Sequence, residues 1–264
     1  MRTRKPRIVF CLLLAAALAA ACAAQICAQT GEDPFAPQQL ADKEKERMSG
    51  VHLFDMRPQK ARFRIIHGKD EGERVAMRLE PFSDSGNKWR LAFSGLYRLS
   101  LTKAPEGAVK VQQLKICRKD RKINFSPSFP LLPAQLVAGE KTRTSGTIKI
   151  TGPDNGSETK SGKYTHVVKS LSRTKLDTPA GPRTGYLLEY TCSIELPYSS
   201  IRIDLEAGFD IDKRLAYWRE QTTIEKLGLF SKTSFRTLAV TGEKSEDKPA
   251  PPFKENADRE IIQE

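Results

Sequence analysis

Gly185-Tyr186-Leu187-Leu188-Glu189-Tyr190-Thr191-Cys192-Ser193-Ile194-Glu195-Leu196 alternates over most of its length. Leu188, Tyr190, Cys192 and Ile194 fall on one side, and Glu189, Thr191, Ser193 and Glu195 on the other. A period of two places successive side chains on opposite faces, so this run reads as a strand with one face on a core and one in water. Just before it stands Thr178-Pro179-Ala180-Gly181. Pro179 fixes φ and Gly181 tolerates positive φ, so these residues form a turn that launches the strand.

The same period recurs outward in both directions. Residues 61–67, 73–79, 89–93, 97–99, 109–111, 114–116, 147–151 and 164–171 carry it upstream, and 200–205, 215–224 and 231–240 downstream. Gly, Pro, Asn and Asp separate most of these runs, the signature of consecutive antiparallel strands. Gly95 reads as a bulge before Tyr97, and Asn155-Gly156-Ser157 as a hairpin turn. Trp218 falls on an apolar strand position and is assigned to the core. The fold class is therefore mainly β: about ten strands in a curved antiparallel sheet, an open or half-closed barrel, since curling shortens exposed edges. Only residues 38–48 make a helical case, giving a short N-terminal helix.

Arg2, Arg4, Lys5 and Arg7 precede an uncharged Leu- and Ala-rich run over 8–24. This is the layout of a secretory signal peptide. The expected organisation is a signal peptide at 1–28, a polar linker with the helix at 29–50, an antiparallel β domain at 51–241 and a disordered tail at 242–264. Removing the four basic residues of the leader would lower the net charge from +12 to +8. Lys and Arg are interleaved with Asp and Glu and form no basic block, which argues against nucleic acid. The expected location is periplasmic or secreted. A second processing route, through Ala19-Ala20-Ala21-Cys22, would make Cys22 a lipidation site and tether the chain to a membrane.

Cleavage after Ala28 also removes Cys11, Cys22 and Cys27 and leaves one pair, Cys117 and Cys192. Outside the cytoplasm such a pair is usually oxidised, so a Cys117–Cys192 disulfide is expected, worth about 4 kcal/mol on the chain-entropy argument. No catalytic constellation accompanies it. His52, His67 and His166 lie far apart, and no zinc-ligand spacing, phosphate loop or nucleophile elbow is present. Asp204, Glu206, Asp210 and Asp212 form the densest acidic group. They lack the spacing of a calcium loop and read as solvent-side positions about a turn at Gly208. A hydrolase would need a cleft joining distant residues, such as Asp210 with His166. The expectation is a non-enzyme without catalytic, cofactor or metal residues.

Three segments carry a resemblance. They are Pro133-Ala134-Gln135-Leu136-Val137-Ala138-Gly139-Glu140, then Thr178-Pro179-Ala180-Gly181 with the strand after it. The third is Tyr217-Trp218 followed by Leu227-Gly228-Leu229-Phe230-Ser231-Lys232. Across residues 125–240 the chain resembles bacterial exported domains of unknown function that share the open β-barrel of the lipoprotein localisation factors. Phe230 stands where that pattern has Val, and Pro182-Arg183 lengthens the turn after Gly181. The resemblance implies no catalytic residues. A half-barrel lined by Trp, Phe and Leu would offer a concave apolar surface. The leading expectation is thus an exported envelope protein binding a lipid or other apolar ligand, or docking another envelope protein. The alternative is a structural or adhesive envelope component that holds a cell-wall polymer or a partner protein.

Overall fold

A computed structural model describes residues 37–39, 47–82, 86–152 and 159–242. The expected signal peptide, Cys22, the Asn155-Gly156 turn and all but the first residue of the expected tail lie outside the described residues. Short strands β1 (Gln38–Gln39) and β2 (Arg47–Met48) precede helix α1 (Gly50–Leu53). Then follow β3 (Gln59–Gly68), β4 (Arg74–Pro81), β5 (Lys88–Phe93), β6 (Tyr97–Lys103) and β7 (Val109–Ile116). A 3-10 turn at Cys117–Lys119 leads to β8 (Arg121–Leu132), β9 (Leu136–Val137) and β10 (Thr142–Thr151). The last five are β11 (Thr159–Leu176), β12 (Arg183–Leu196), β13 (Ser199–Asp210), β14 (Leu215–Lys226) and β15 (Phe230–Val240).

Among the described residues, twelve of these strands close into one antiparallel barrel. From β3 through β8, and on from β10 to β15, each strand pairs with the long strand that follows it, and β15 returns to pair with β3. The curved sheet expected from the alternation is therefore a fully closed up-and-down barrel, which removes both edges. β2 pairs with β9 in a separate two-stranded sheet.

Side-chain alternation sets what faces inward. One register row runs Leu188, Ala207, Trp218, Leu238 across β12 to β15, and all four are buried. The intervening positions, such as Arg62, Arg78, Lys149, Lys163 and Arg202, face outward. Apolar inside and charged outside is the reverse of a membrane-spanning barrel, where each charge on the lipid side costs about 2–4 kcal/mol near the midplane. Among the described residues no helix is long and apolar enough to cross a membrane.

The two ends of the barrel differ. At one, Leu53 and Phe54 of the N-terminal segment are buried, Phe54 lies 5.4 Å from the Phe209 ring, and Asp55 N–H donates to the Lys213 carbonyl. At the other lie the β3–β4, β5–β6, β7–β8, β12–β13 and β14–β15 turns.

Several local expectations are corrected. In place of a helix across 38–48, the described ends of that segment are strands. Gln38–Gln39 pairs with the stretch of β11 that runs past the end of β10, and so covers an otherwise open edge. Gly95 is not a bulge but part of the β5–β6 turn, at φ +73°. Gly208 is not a turn: β13 continues through it to Asp210, with a bulge against β14, and the reversal comes at 211–214. The Thr178–Gly181 turn is present, closed by Gly181 N–H donating to the Thr178 carbonyl at 2.8 Å.

Candidate functional site

The inward rows nearest the turn-bearing end do not meet in the middle. They enclose a cavity of about 380 Å³, within the size range of small-molecule sites. The row Ile194, Ile201, Ile224 lies nearest the end of the barrel, and Cys192, Ile203, Thr222, Ser234 comes one step deeper. Tyr190, Leu205, Glu220 and Arg236 follow, and the buried Trp218 row forms the floor. Leu114, Ile116, Ile123 and Phe125 complete an apolar wall opposite. Ile201, Ile203 and Leu205 point inward yet are only half-buried, whereas Ala207 and Phe209 further along the same strand are buried. The interior is thus open toward the turns and packed shut toward α1.

One wall is polar. Arg236 Nη1 meets Glu220 Oε1 at 3.0 Å, and its Nη2 meets Asp70 Oδ2 at 2.8 Å. Arg118, from the β7–β8 turn, reaches the same Asp70 oxygen at 2.7 Å and Glu73 at 3.1 Å. Burial pushes the Glu220 carboxyl above the usual carboxylate range, against the opposing charge of Arg236. Burial likewise pushes the Tyr97 hydroxyl well up. The Tyr97 hydroxyl and the Trp218 indole N–H lie toward Glu220 without closing a hydrogen bond.

His166 and Cys192 face one another across β11 and β12, both inside the cavity. His166 stacks on Phe129 with centroids 4.2 Å apart, and its Nδ1 has no hydrogen-bond partner. Burial lowers its pKa from 6.5 to about 4 and raises the Cys192 thiol to about 12. A cysteine nucleophile needs a lowered pKa and a base able to take its proton, and burial sets both groups the other way.

The expected disulfide is not formed: Cys117 and Cys192 are both free thiols. Cys117 opens the 3-10 turn after β7, while Cys192 sits inside on β12, which pairs only with β11 and β13. One cysteine lies in a turn at the barrel's end and the other in its wall, and β7 and β8, which flank that turn, do not pair with β12.

Asp210 and His166 are not brought together. Register aligns His166 with Ile203 through Cys192, and Asp210 lies seven residues further along β13, roughly 20 Å at the rise of a strand. Asp210 is buried and held by Arg183 at 2.7 Å, contrary to its expected solvent position. Asp204 lies on the outer wall with Lys169, Arg202 and Thr191, and Glu206 pairs with Arg219. Burial would raise the Asp204 carboxyl, but those three donors outweigh it and hold it at about 2. Among the described residues no group of three or more His, Cys, Asp or Glu side chains could hold a metal ion.

The rim carries two further features. Lys69, Lys119 and Arg121 line the opening, and among the described residues none has an ion-pair partner, in contrast to Arg118 and Arg236 beside them. Beyond the rim, the β12–β13 and β14–β15 turns are tied by Leu227 N–H donating to the Tyr198 carbonyl. They present Tyr198, Leu227, Leu229 and Phe230 to solvent, Leu229 at 78% exposure.

Comparison with protein-family models, curated proteins and solved structures returned no match for this chain. Among the site residues that the alternation did not single out are Glu220 and Arg236. Their signal was legible in principle: each is a charge on the inward phase of its strand, two residues from Trp218 and Leu238 respectively.

Proposed function

We propose that this is an exported, non-enzymatic envelope protein that binds an apolar ligand inside its barrel. The observation that carries the reading is the cavity of about 380 Å³, apolar on one side and open at one end only. A folded domain normally fills such space with its own side chains, since interiors are close-packed. Half-buried isoleucines on an inward face mark apolar surface left for another molecule. The neutral His166–Cys192 pair supports binding over catalysis. Export rests on the leader-like first 28 residues, and the reading agrees with the resemblance to the localisation-factor barrels.

Native mass spectrometry of protein purified from a bacterial envelope tests it, together with uptake of a fluorescent fatty-acid probe. Bound lipid or saturable uptake is expected. Cys192 supplies a site-specific readout, because an occupied cavity should slow its alkylation while leaving the less buried Cys117 unchanged. No bound lipid and no uptake would sink the reading.

A second reading, docking of a partner protein, is favoured by the exposed Tyr198, Leu227, Leu229 and Phe230. Crosslinking from position 229 in envelope preparations separates the two. A protein adduct that persists while the cavity is occupied by probe favours docking.

A further inference from the structure

We propose that the ligand is a single-chain amphiphile with an anionic headgroup, its chain against the isoleucine wall and its headgroup at Lys69, Lys119 and Arg121. The inference rests on the apolar-cavity reading and deepens it.

Three observations carry it. The cavity is at the lower end of the range for small-molecule sites, which suits one hydrocarbon chain and not two. Its rim holds acidic and basic groups in unequal balance. Asp70, Glu73 and Glu220 are engaged by Arg118 and Arg236, leaving three cations on the opening that meet no carboxylate among the described residues. Finally, Arg121 is paired in register with the inward-facing Ile116, so a cation stands on the same face as the apolar wall, at its outer end. An exposed lysine is ordinarily a solvated surface charge. Here two lysines and an inward-phased arginine converge where an apolar chain would leave the barrel. A carboxylate or phosphate at that point would gain charge-assisted hydrogen bonds that a neutral headgroup would not.

The test is equilibrium dialysis of the full chain with three probes below their micellar concentrations: dodecanoate, dodecan-1-ol and a one-chain dodecanoyl lysophosphatidate. At low salt the anionic probes are expected to bind at least about tenfold tighter than the alcohol, and this margin should shrink at high salt as exposed charges are screened. The triple variant Lys69→Gln, Lys119→Gln, Arg121→Gln should lose the margin while its affinity for dodecan-1-ol stays unchanged. All three side chains are exposed, so the fold should hold, and the unchanged alcohol affinity confirms it.

Preference for dodecanoate over lysophosphatidate identifies a carboxylate headgroup, and the reverse a phosphate; either supports the proposal. Equal binding of acid and alcohol overturns the headgroup inference and leaves the apolar cavity standing. A margin that survives in the triple variant overturns it too. A two-chain phosphatidate that binds as tightly as the one-chain probe removes the single-chain claim. Binding of no probe overturns the cavity reading itself.

Discussion

The His166 ring is almost wholly buried between Phe129 and Tyr190, with Cys192 opposite. Those titratable neighbours hold their protons through the acid range, since burial raises both. The folded state therefore resists protonation of His166, whose pKa falls from 6.5 to about 4. A group with a depressed folded-state pKa contributes stability that is present in full above its unfolded value. That stability is lost as pH falls from about 6.5 toward about 4. The loss should reach about 3 kcal/mol at the acid end, at about 1.4 kcal/mol per pH unit between the two values. His166→Gln keeps a polar side chain without the titration, so its melting temperature should fall less across that window. A gap of roughly 6–12 °C is expected for a domain of this size, read from parallel thermal melts at pH 7 and pH 4. Parallel curves for the two proteins would remove the assignment. Asp204 acts at lower pH. Its carboxyl titrates at about 2, so the stability it contributes is present above the usual carboxylate range and is lost only as pH falls toward that value.

At the scale of elements, the closed end and the open end should respond very unequally to the loss of a large apolar side chain. Phe54 follows α1, is 1% exposed and packs on Phe209. Phe54→Ala should cost about 3–5 kcal/mol, the range for a deleted core aromatic. Leu229 lies in the β14–β15 turn and touches little, so Leu229→Ser should stay within about 0.5 kcal/mol. Denaturant midpoints at constant slope check both.

The elements also show where the sequence could be read and where it could not. β12 was legible because a buried face and a wetter face alternate along it from Leu188 to Glu195. β8 was not, because Pro127 and Pro130 each lack an N–H and interrupt the pattern. The structure accommodates them with a register shift against β7 between Val111 and Gln113. Gly208 was misread because a glycine beside acidic residues resembles a turn. In the strand, a Cβ at that position would meet Leu176 and Tyr217 at 2.8 and 2.9 Å, so close packing accounts for the glycine. The disulfide was misread because strand periodicity gives a residue's face but not its place around the barrel. For the same reason the cavity could be expected only as a concavity, since its walls come from strands distant in sequence.

At the scale of the whole molecule, one seam decides closure. Among the described residues every other pairing of long strands joins strands consecutive among the twelve, while β3 and β15 come from opposite ends of the barrel sequence. Leu238 lies opposite Ile65 and Val240 opposite Phe63, and Lys69 N–H donates to the Phe235 carbonyl where the two strands part. Gly68 makes that approach possible. It sits at φ +92°, and a Cβ there would meet the Phe235 carbonyl oxygen at 2.4 Å. Gly68→Ala therefore combines left-handed strain, of order 1–3 kcal/mol, with a clash against backbone that cannot swing away. Gly95 is the control: it has φ +73° and open space around it, so Gly95→Ala carries the strain alone. The expected result is a clearly larger loss of stability for Gly68→Ala than for Gly95→Ala. Hydrogen exchange should also speed up first along β3 and β15, because a weakened seam opens locally before the barrel unfolds. Equal losses for the two variants, or exchange that rises evenly around the barrel, would show that closure does not depend on this contact. Opening at the seam would bare two long strand edges and let water into the cavity from the side, and ligand retention should fall with it.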